Sequence, residues 1–282
     1  MSDNERGIDH IVLAVRDLES ARRAFAALGF TTTPPARHPF GTGNSLIQLG
    51  SSFIELLAVV EPAKLVPMAA GEFSFGAFID RFLGDREGMS MLVLSSADAR
   101  ADNDGWRARG LETYAPVDFS RAAILADGRR VTVAFTIAFA IDPAMPEAPF
   151  FVCQQHYPEN FWQPAYQDHA NGARDITAVT MTVPRPDRHA DFFHTIVPDA
   201  SVETDGAGLR VDLARGRIDL VAAADEAARP EFTKTTVAVE DPDALAQLLS
   251  AARVPFDSAA NAVTIAPADC FGMALEFVGP PR

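Results

Sequence analysis

The chain repeats one pattern four times, and that recurrence limits its fold more than any single segment does. Each copy opens on an apolar strand, passes through a helix and closes on further strands. In copy one, "GIDHIVLAV" (7–15) leads into a helix capped by Asp17 and stopped by Gly29, with Leu18, Ala21, Phe25 and Leu28 on one face. "NSLIQLG" and "SSFIELLAVV" then close the copy across a tight Gly-Ser turn. Copy two runs from "MSMLVLSS" (89–96) through a helix ending at Gly110, a long insertion and "VTVAFTIAFAI" to "PFFVCQQH" (149–156). Copy three runs from "DITAVTMTV" through "PDRHADFFHTIV" to "LRVDLARGRIDLVAA". Copy four runs from "TKTTVAVED" through "PDALAQLLSAARV" to "AVTIAP" and "GMALEFVG". A β-α-β-β-β unit used four times is a stronger inference than any one strand.

Three of the closing strands carry an acid among apolar residues: Glu55, Asp219 and Glu276. A carboxylate is almost never fully buried without a partner. An acid recurring at one place in a repeated unit therefore asks what it faces.

The 282 residues suit one large domain or two ordinary ones. The linker "YPENFWQPAYQDHANGARD" is rich in Pro, Asn, Gly and aromatics. It divides the chain into residues 1–172 and 173–282, two units each. A second long connection (59–88) contains "EFSFGAFIDRFL", which reads as a short amphipathic helix covering something. A formal net charge of −14 excludes a nucleic-acid partner, whose phosphates need a basic face. No apolar run reaches the roughly 18 residues of a membrane span. The polar start "MSDNERGIDH" lacks the apolar core of a signal peptide, and two cysteines form no disulfide framework. A cytoplasmic protein with a small-molecule partner is the expectation, with homodimerisation through exposed sheet edges as an option.

Units that open with "DHIVLAVRDLESA" and close with "FIELLAV" resemble the vicinal oxygen chelate superfamily, which includes glyoxalase, extradiol dioxygenases, epimerases and antibiotic-resistance proteins. "RHPFGTGNSLIQLG" and "HANGARDI" are similar to a glyoxalase-like subfamily whose members mostly lack an assigned reaction. The resemblance implies an α+β fold in which units pair and their sheets curl into half-barrel cups. It also implies a divalent metal in the cup, held from the first and last strands of each unit. His10 and Glu55 match two such positions. In unit two the counterpart of His10 is Ser90 or Met91, neither a good ligand. In units three and four it is Ala178 and about Lys234, so the second pair is expected to be metal-free, with Lys234 answering an acid.

The register of "FFVCQQH" decides what unit two adds. One register turns Val152, Gln154 and His156 inward, and the other turns Cys153 and Gln155 inward. We take the first, because His156 then completes a two-His-one-carboxylate set with His10 and Glu55, suited to Zn, Fe, Mn or Ni. Glu55 or His156 could instead move a proton. His38, Thr42, Asn44, Gln154 and Trp162 are the expected substrate contacts, and Gly-Thr-Gly (41–43) could present N–H groups to an anion. Each has a plainer alternative: a core histidine, a hairpin needing its glycines, or a turn cap. Two functions follow. One is a metal-dependent lyase, isomerase or dioxygenase. The other is a metal-free protein that sequesters a small molecule, with His10 and Glu55 as polar anchors.

Overall fold

The computed structural model describes residues 6–69, 71–125, 128–206 and 208–280. The first half contains strands β1 (Ile8–Ala14), β2 (Ala36–Arg37), β3 (Thr42–Gln48), β4 (Phe53–Val59), β5 (Gly88–Ser95), β6 (Val117–Ile124), β7 (Arg130–Ala140) and β8 (Phe150–Gln155). Helix α1 (Leu18–Ala27) follows β1, α2 (Phe75–Asp85) precedes β5, and α3 (Ala99–Ala108) follows β5. Two short helices, α4 (Pro158–Phe161) and α5 (Pro164–Gln167), lead into the second half. There the strands are β9 (Ala173–Val183), β10 (Ser201–Asp205), β11 (Gly208–Asp212), β12 (Arg217–Ala222), β13 (Glu231–Val239), β14 (Asp257–Ala259), β15 (Ala262–Ile265) and β16 (Ala274–Val278). Helices α6 (Ala190–Ile196) and α7 (Pro242–Ala252) complete it.

The strands form two eight-stranded sheets, ordered β2-β3-β4-β1-β5-β8-β7-β6 and β10-β11-β12-β9-β13-β16-β15-β14. The two orders superpose unit for unit. In each sheet the opening strands of two units pair antiparallel at the centre, β1 with β5 and β9 with β13, while each opening strand pairs parallel with the closing strand of its own unit. The fold is α+β, as the repeat implied. The long insertion of unit two holds β6.

Caps set the phase of the repeat. Asp17, Asp98 and Asp241 each accept backbone N–H bonds at the start of their helix, an arrangement worth about 1 kcal/mol per cap. Counting back from these caps, and from Arg185 in unit three, gives equivalent strand positions at His10, Met91, Ala178 and Lys234. The strand ladders give the other set. Glu55 pairs with Val12, Phe151 with Val93, Asp219 with Thr180 and Glu276 with Thr236. The three acids therefore do occupy one position of the repeat, and unit two puts Phe151 there.

Alternation along each strand separates two cores. The convex faces of both sheets and most helices share one: Phe25 meets Phe271, Phe30 meets Phe277, and Phe150 meets Phe232. The concave face of the first sheet has its own core, into which α2 inserts Phe78, Ile79 and Phe82. Helix α2 is the amphipathic segment expected to cover something, and it fills one side of the cup. The "HANGARDI" stretch ties the halves together. His169 Nδ1 accepts from the Thr31 N–H (3.0 Å) and its Nε2–H donates to the Gln48 carbonyl (2.8 Å). Asn171 Nδ2 donates to the Leu28 carbonyl, and Asp175 accepts from Ser51 and Ser52. Among the described residues no helix is long and apolar enough to cross a membrane.

Candidate active site in the first cup

The unfilled side of the first cup is a cavity of about 50 Å³. Its wall is mostly phenylalanine. Phe53 comes from β4, Phe119 from β6, Phe135 from β7 and Phe151 from β8, with Phe40, Phe75 and Phe161 at the margins. The polar lining consists of His10, His38, Asn44, Glu55, Arg121 and the Cys153 thiol.

Glu55 is 6% exposed. It faces a hydrogen-bonded chain, which answers the question raised by its place in the sequence. Asn44 Nδ2 donates to Glu55 Oε1 (2.6 Å) and lies 3.3 Å from His38 Nε2, whose ring in turn meets Thr42 through Nδ1 (2.8 Å). Cross-strand neighbours on β3 and β4 place Asn44 and Glu55 on one face. Burial pushes the His38 pKa below its ordinary value, with Glu55 opposing and Arg121 reinforcing, so His38 is neutral near pH 7.

His10 approaches Glu55 from the other side, with Nε2 3.8 Å from Oε2. Its ring stacks on Phe53 at 4.1 Å. Its Nδ1 is 2.6 Å from Asp9 Oδ1, and Asp9 Oδ2 accepts from Gln155 Nε2 (3.1 Å). Adjacent strand residues normally point to opposite faces. Here the β1–β5 ladder shifts register between Ile8 and His10, and the extra residue of the bulge is Asp9, which turns toward its neighbour. The carboxylate on Nδ1 fixes the orientation of the ring, with Nε2 turned toward Glu55.

The expected site residues divide cleanly. The structure brings His10, His38, Asn44 and Glu55 together at the cavity, with Thr42 directly behind His38. Trp162 stands outside the lining and packs edge-on against Phe53 and Phe161. The inward register of β8 is the one we did not take. Phe151 and Cys153 face the cup, while Phe150 and Val152 join the convex core. Gln154 is thereby turned to the helix side, where its Oε1 accepts from the Ala99 N–H (3.3 Å). His156 lies past the end of β8, exposed, with Nε2 2.7 Å from Thr136 Oγ1. It does not reach His10 or Glu55. The Gly-Thr-Gly segment is also committed: Gly41 and Thr42 start the β3–β4 pairing, and the Gly41 carbonyl accepts from Val60 and Glu61.

The metal set implied by the resemblance does not fit these residues. Of the four repeat-equivalent positions in the cup, unit one supplies His10 and Glu55, while unit two supplies Met91 and Phe151. His10 Nε2 lies 3.8 Å from Glu55 Oε2 and His38 Nε2 lies 3.9 Å from Oε1. Among the described residues no group of three or more His, Cys, Asp and Glu is placed to hold a metal ion. Burial and the charges of Asp9 and Glu55 push the Cys153 thiol well above its ordinary pKa.

Sequence reasoning missed two residues of this site, Asp9 and Arg121, and set Gln155 aside with the β8 register that it did not take. Asp9 depends on a bulge, which leaves no mark in the sequence. Arg121 did leave one. In "VDFSRAAI" the inward row reads Val117, Phe119, Arg121, Ala123, a cation in an apolar stripe of period two.

A profile of the glyoxalase-like domain matches residues 8–197. The chain belongs to that family. No curated protein matches the sequence. Among solved structures, a hypothetical protein from Staphylococcus aureus aligns over 98% of this chain and 99% of its own, with a TM-score of 0.74 at 15% identity. A fusion of a xylose isomerase-like TIM barrel with 4-hydroxyphenylpyruvate dioxygenase aligns over 99% of this chain and 50% of its own (TM-score 0.60, 14% identity). A mutant 4-hydroxymandelate synthase from Streptomyces coelicolor aligns over 98% and 92% (TM-score 0.58, 11% identity). At these identities the likeness is one of fold.

Proposed function

We propose that the first cup binds a small, largely apolar molecule without a metal, and that His10 and Glu55 move a proton on it. The observation that carries this reading is the Asp9–His10 hydrogen bond, which orients the imidazole with Nε2 toward Glu55 in a phenylalanine-lined cavity. A carboxylate-oriented imidazole within reach of a second acid–base group is the equipment of proton transfer, as in isomerisation or elimination next to a carbonyl. Exclusion of water by the rings strengthens each polar contact inside.

The test is elemental analysis of protein purified without chelator or affinity nickel, beside a His10→Ala, Glu55→Ala double variant. The expected result is far less than one Zn, Fe, Mn or Ni per chain in either protein, with no thermal shift on adding any of these ions. Near-stoichiometric metal in the wild type, lost in the variant, would overturn the proposal and restore the metal-dependent reading. Solvent-deuterium incorporation into a panel of small carbonyl compounds then reads the proton transfer, which His10→Gln should abolish.

A further inference from the structure

One group in the cup has nothing to do. The carboxylates are served: Asp9 by His10 and Gln155, and Glu55 by Asn44. Arg121 is half-buried in the inward row of β6, between Phe119 and Ala123. Its Nε is shielded from solvent and has no hydrogen-bond partner among the described residues. It makes no ion pair with Glu55 within 4 Å, although it feels that charge. The Asn44 Oδ1 on the opposite wall is likewise buried and unpaired. An unpartnered guanidinium beside apolar rings costs stability, and a fold retains such a cost where a ligand repays it.

We infer that Arg121 anchors the carboxylate of a small aromatic monoacid whose ring lies among the cup phenylalanines. This rests on the reading of the cup as a binding site. Three observations narrow the ligand. The guanidinium is a planar fork that matches a carboxylate with two parallel N–H bonds. Seven phenylalanine rings line the cavity, so the rest of the ligand is apolar and flat-faced. Glu55 lies in the same cavity with one arginine, which balances a single added negative charge and leaves a phosphate dianion facing Glu55 unpaired. Arg121 also lies at the way in. With Leu46 and Phe161 it lines both the inner cavity and an outer groove of about 480 Å³ that runs past Pro34, Arg37 and Tyr166. An acid arriving along this groove meets the guanidinium before the histidines, and its carboxylate is held there while its ring enters the cup.

The experiment is calorimetric titration of phenylacetate, 3-phenylpropionate and 2-naphthoate, each beside its neutral amide, with phenyl phosphate as a further arm. The proteins are the wild type, Arg121→Leu and Arg121→Lys. The wild type is expected to bind at least one acid about tenfold or more tighter than its amide and than phenyl phosphate. Arg121→Leu should lose that preference while still binding the amide, and Arg121→Lys should retain part of it. Arg121→Leu should also melt at or above the wild-type temperature, because it removes an unpaired charge. A structural role for Arg121 predicts the opposite. Amides binding as well as acids, or Arg121→Leu keeping the preference, overturns the anchor and leaves the cup a binding site. Tighter binding of phenyl phosphate overturns the carboxylate assignment. No binding by any probe overturns the inference, and the metal analysis above then decides separately whether the cup is a metal centre.

Discussion

The two sheets have the same strand order, the same parallel and antiparallel pairings and the same acid-bearing closing strand, yet their concave faces differ completely. In the first, phenylalanines and α2 close over Glu55, which is buried against Asn44 with His10 and His38 on either side. In the second, Glu276 takes Lys234 at 3.1 Å and Thr236 at 3.0 Å, and both charged side chains keep substantial exposure (34% and 25%). Asp219 pairs with Arg217 on an open surface. The lesson is that topology fixes where the acid sits and the lining fixes what it is for. Paired with lysine and wetted, it is a surface ion pair. Walled by rings and met by two imidazoles, it is the group we propose for proton transfer. Lys234 as the partner of an acid in unit four was expected from sequence, and the structure shows it.

The comparison breaks most easily at Asn44. Asn44→Ala should cost about 2–3 kcal/mol in urea denaturation, because it strips a buried carboxylate of its hydrogen bond. A cost under about 1 kcal/mol would show that Glu55 is wetter than the cup geometry implies. Acid offers a second break. His38 and His169 are both held below their ordinary value of 6.5 by burial, and both belong to the first half. The unfolded chain takes up those protons first. Their contribution is thus complete above pH 6.5 and is lost as pH falls toward the depressed folded values. Stability should be flat from pH 8 to 7 and decline below 6.5, and His38→Gln should flatten part of the decline. A decline of equal slope in that variant would move the acid sensitivity away from the cup.

In the second sheet the effects should be smaller. Lys234→Ala should cost about 0–1 kcal/mol, since solvent screens the pair. Arg217→Ala should fall within about 0.5 kcal/mol of the wild type by the same measurement. A larger loss at either would mean that the second concave face is as tightly built as the first. Because both sheets share the convex core, urea should unfold residues 1–172 and 173–282 in one transition. Two separated transitions would mark them as independent domains.

Sequence by itself determined the units, the Asp17 cap and the three recurring acids, because these are written in local signals: alternation, helix period, an aspartate before a helix. It also brought out His10, His38, Asn44 and Glu55, which come from β1, the β2–β3 connection, β3 and β4 of unit one. It could not decide the face of β8. A one-residue slip exchanges Gln154 and His156 for Cys153 and Gln155, and "FFVCQQH" is apolar enough at its start to suit either. Only the pairing of β8 with β5 and β7, with Phe150 drawn into the convex core against Phe232, settled it. Asp9 and Arg121 were likewise decided in three dimensions. One reaches His10 through a bulge created by pairing between units, and the other comes from an inserted strand whose inward face exists only once the sheet curls.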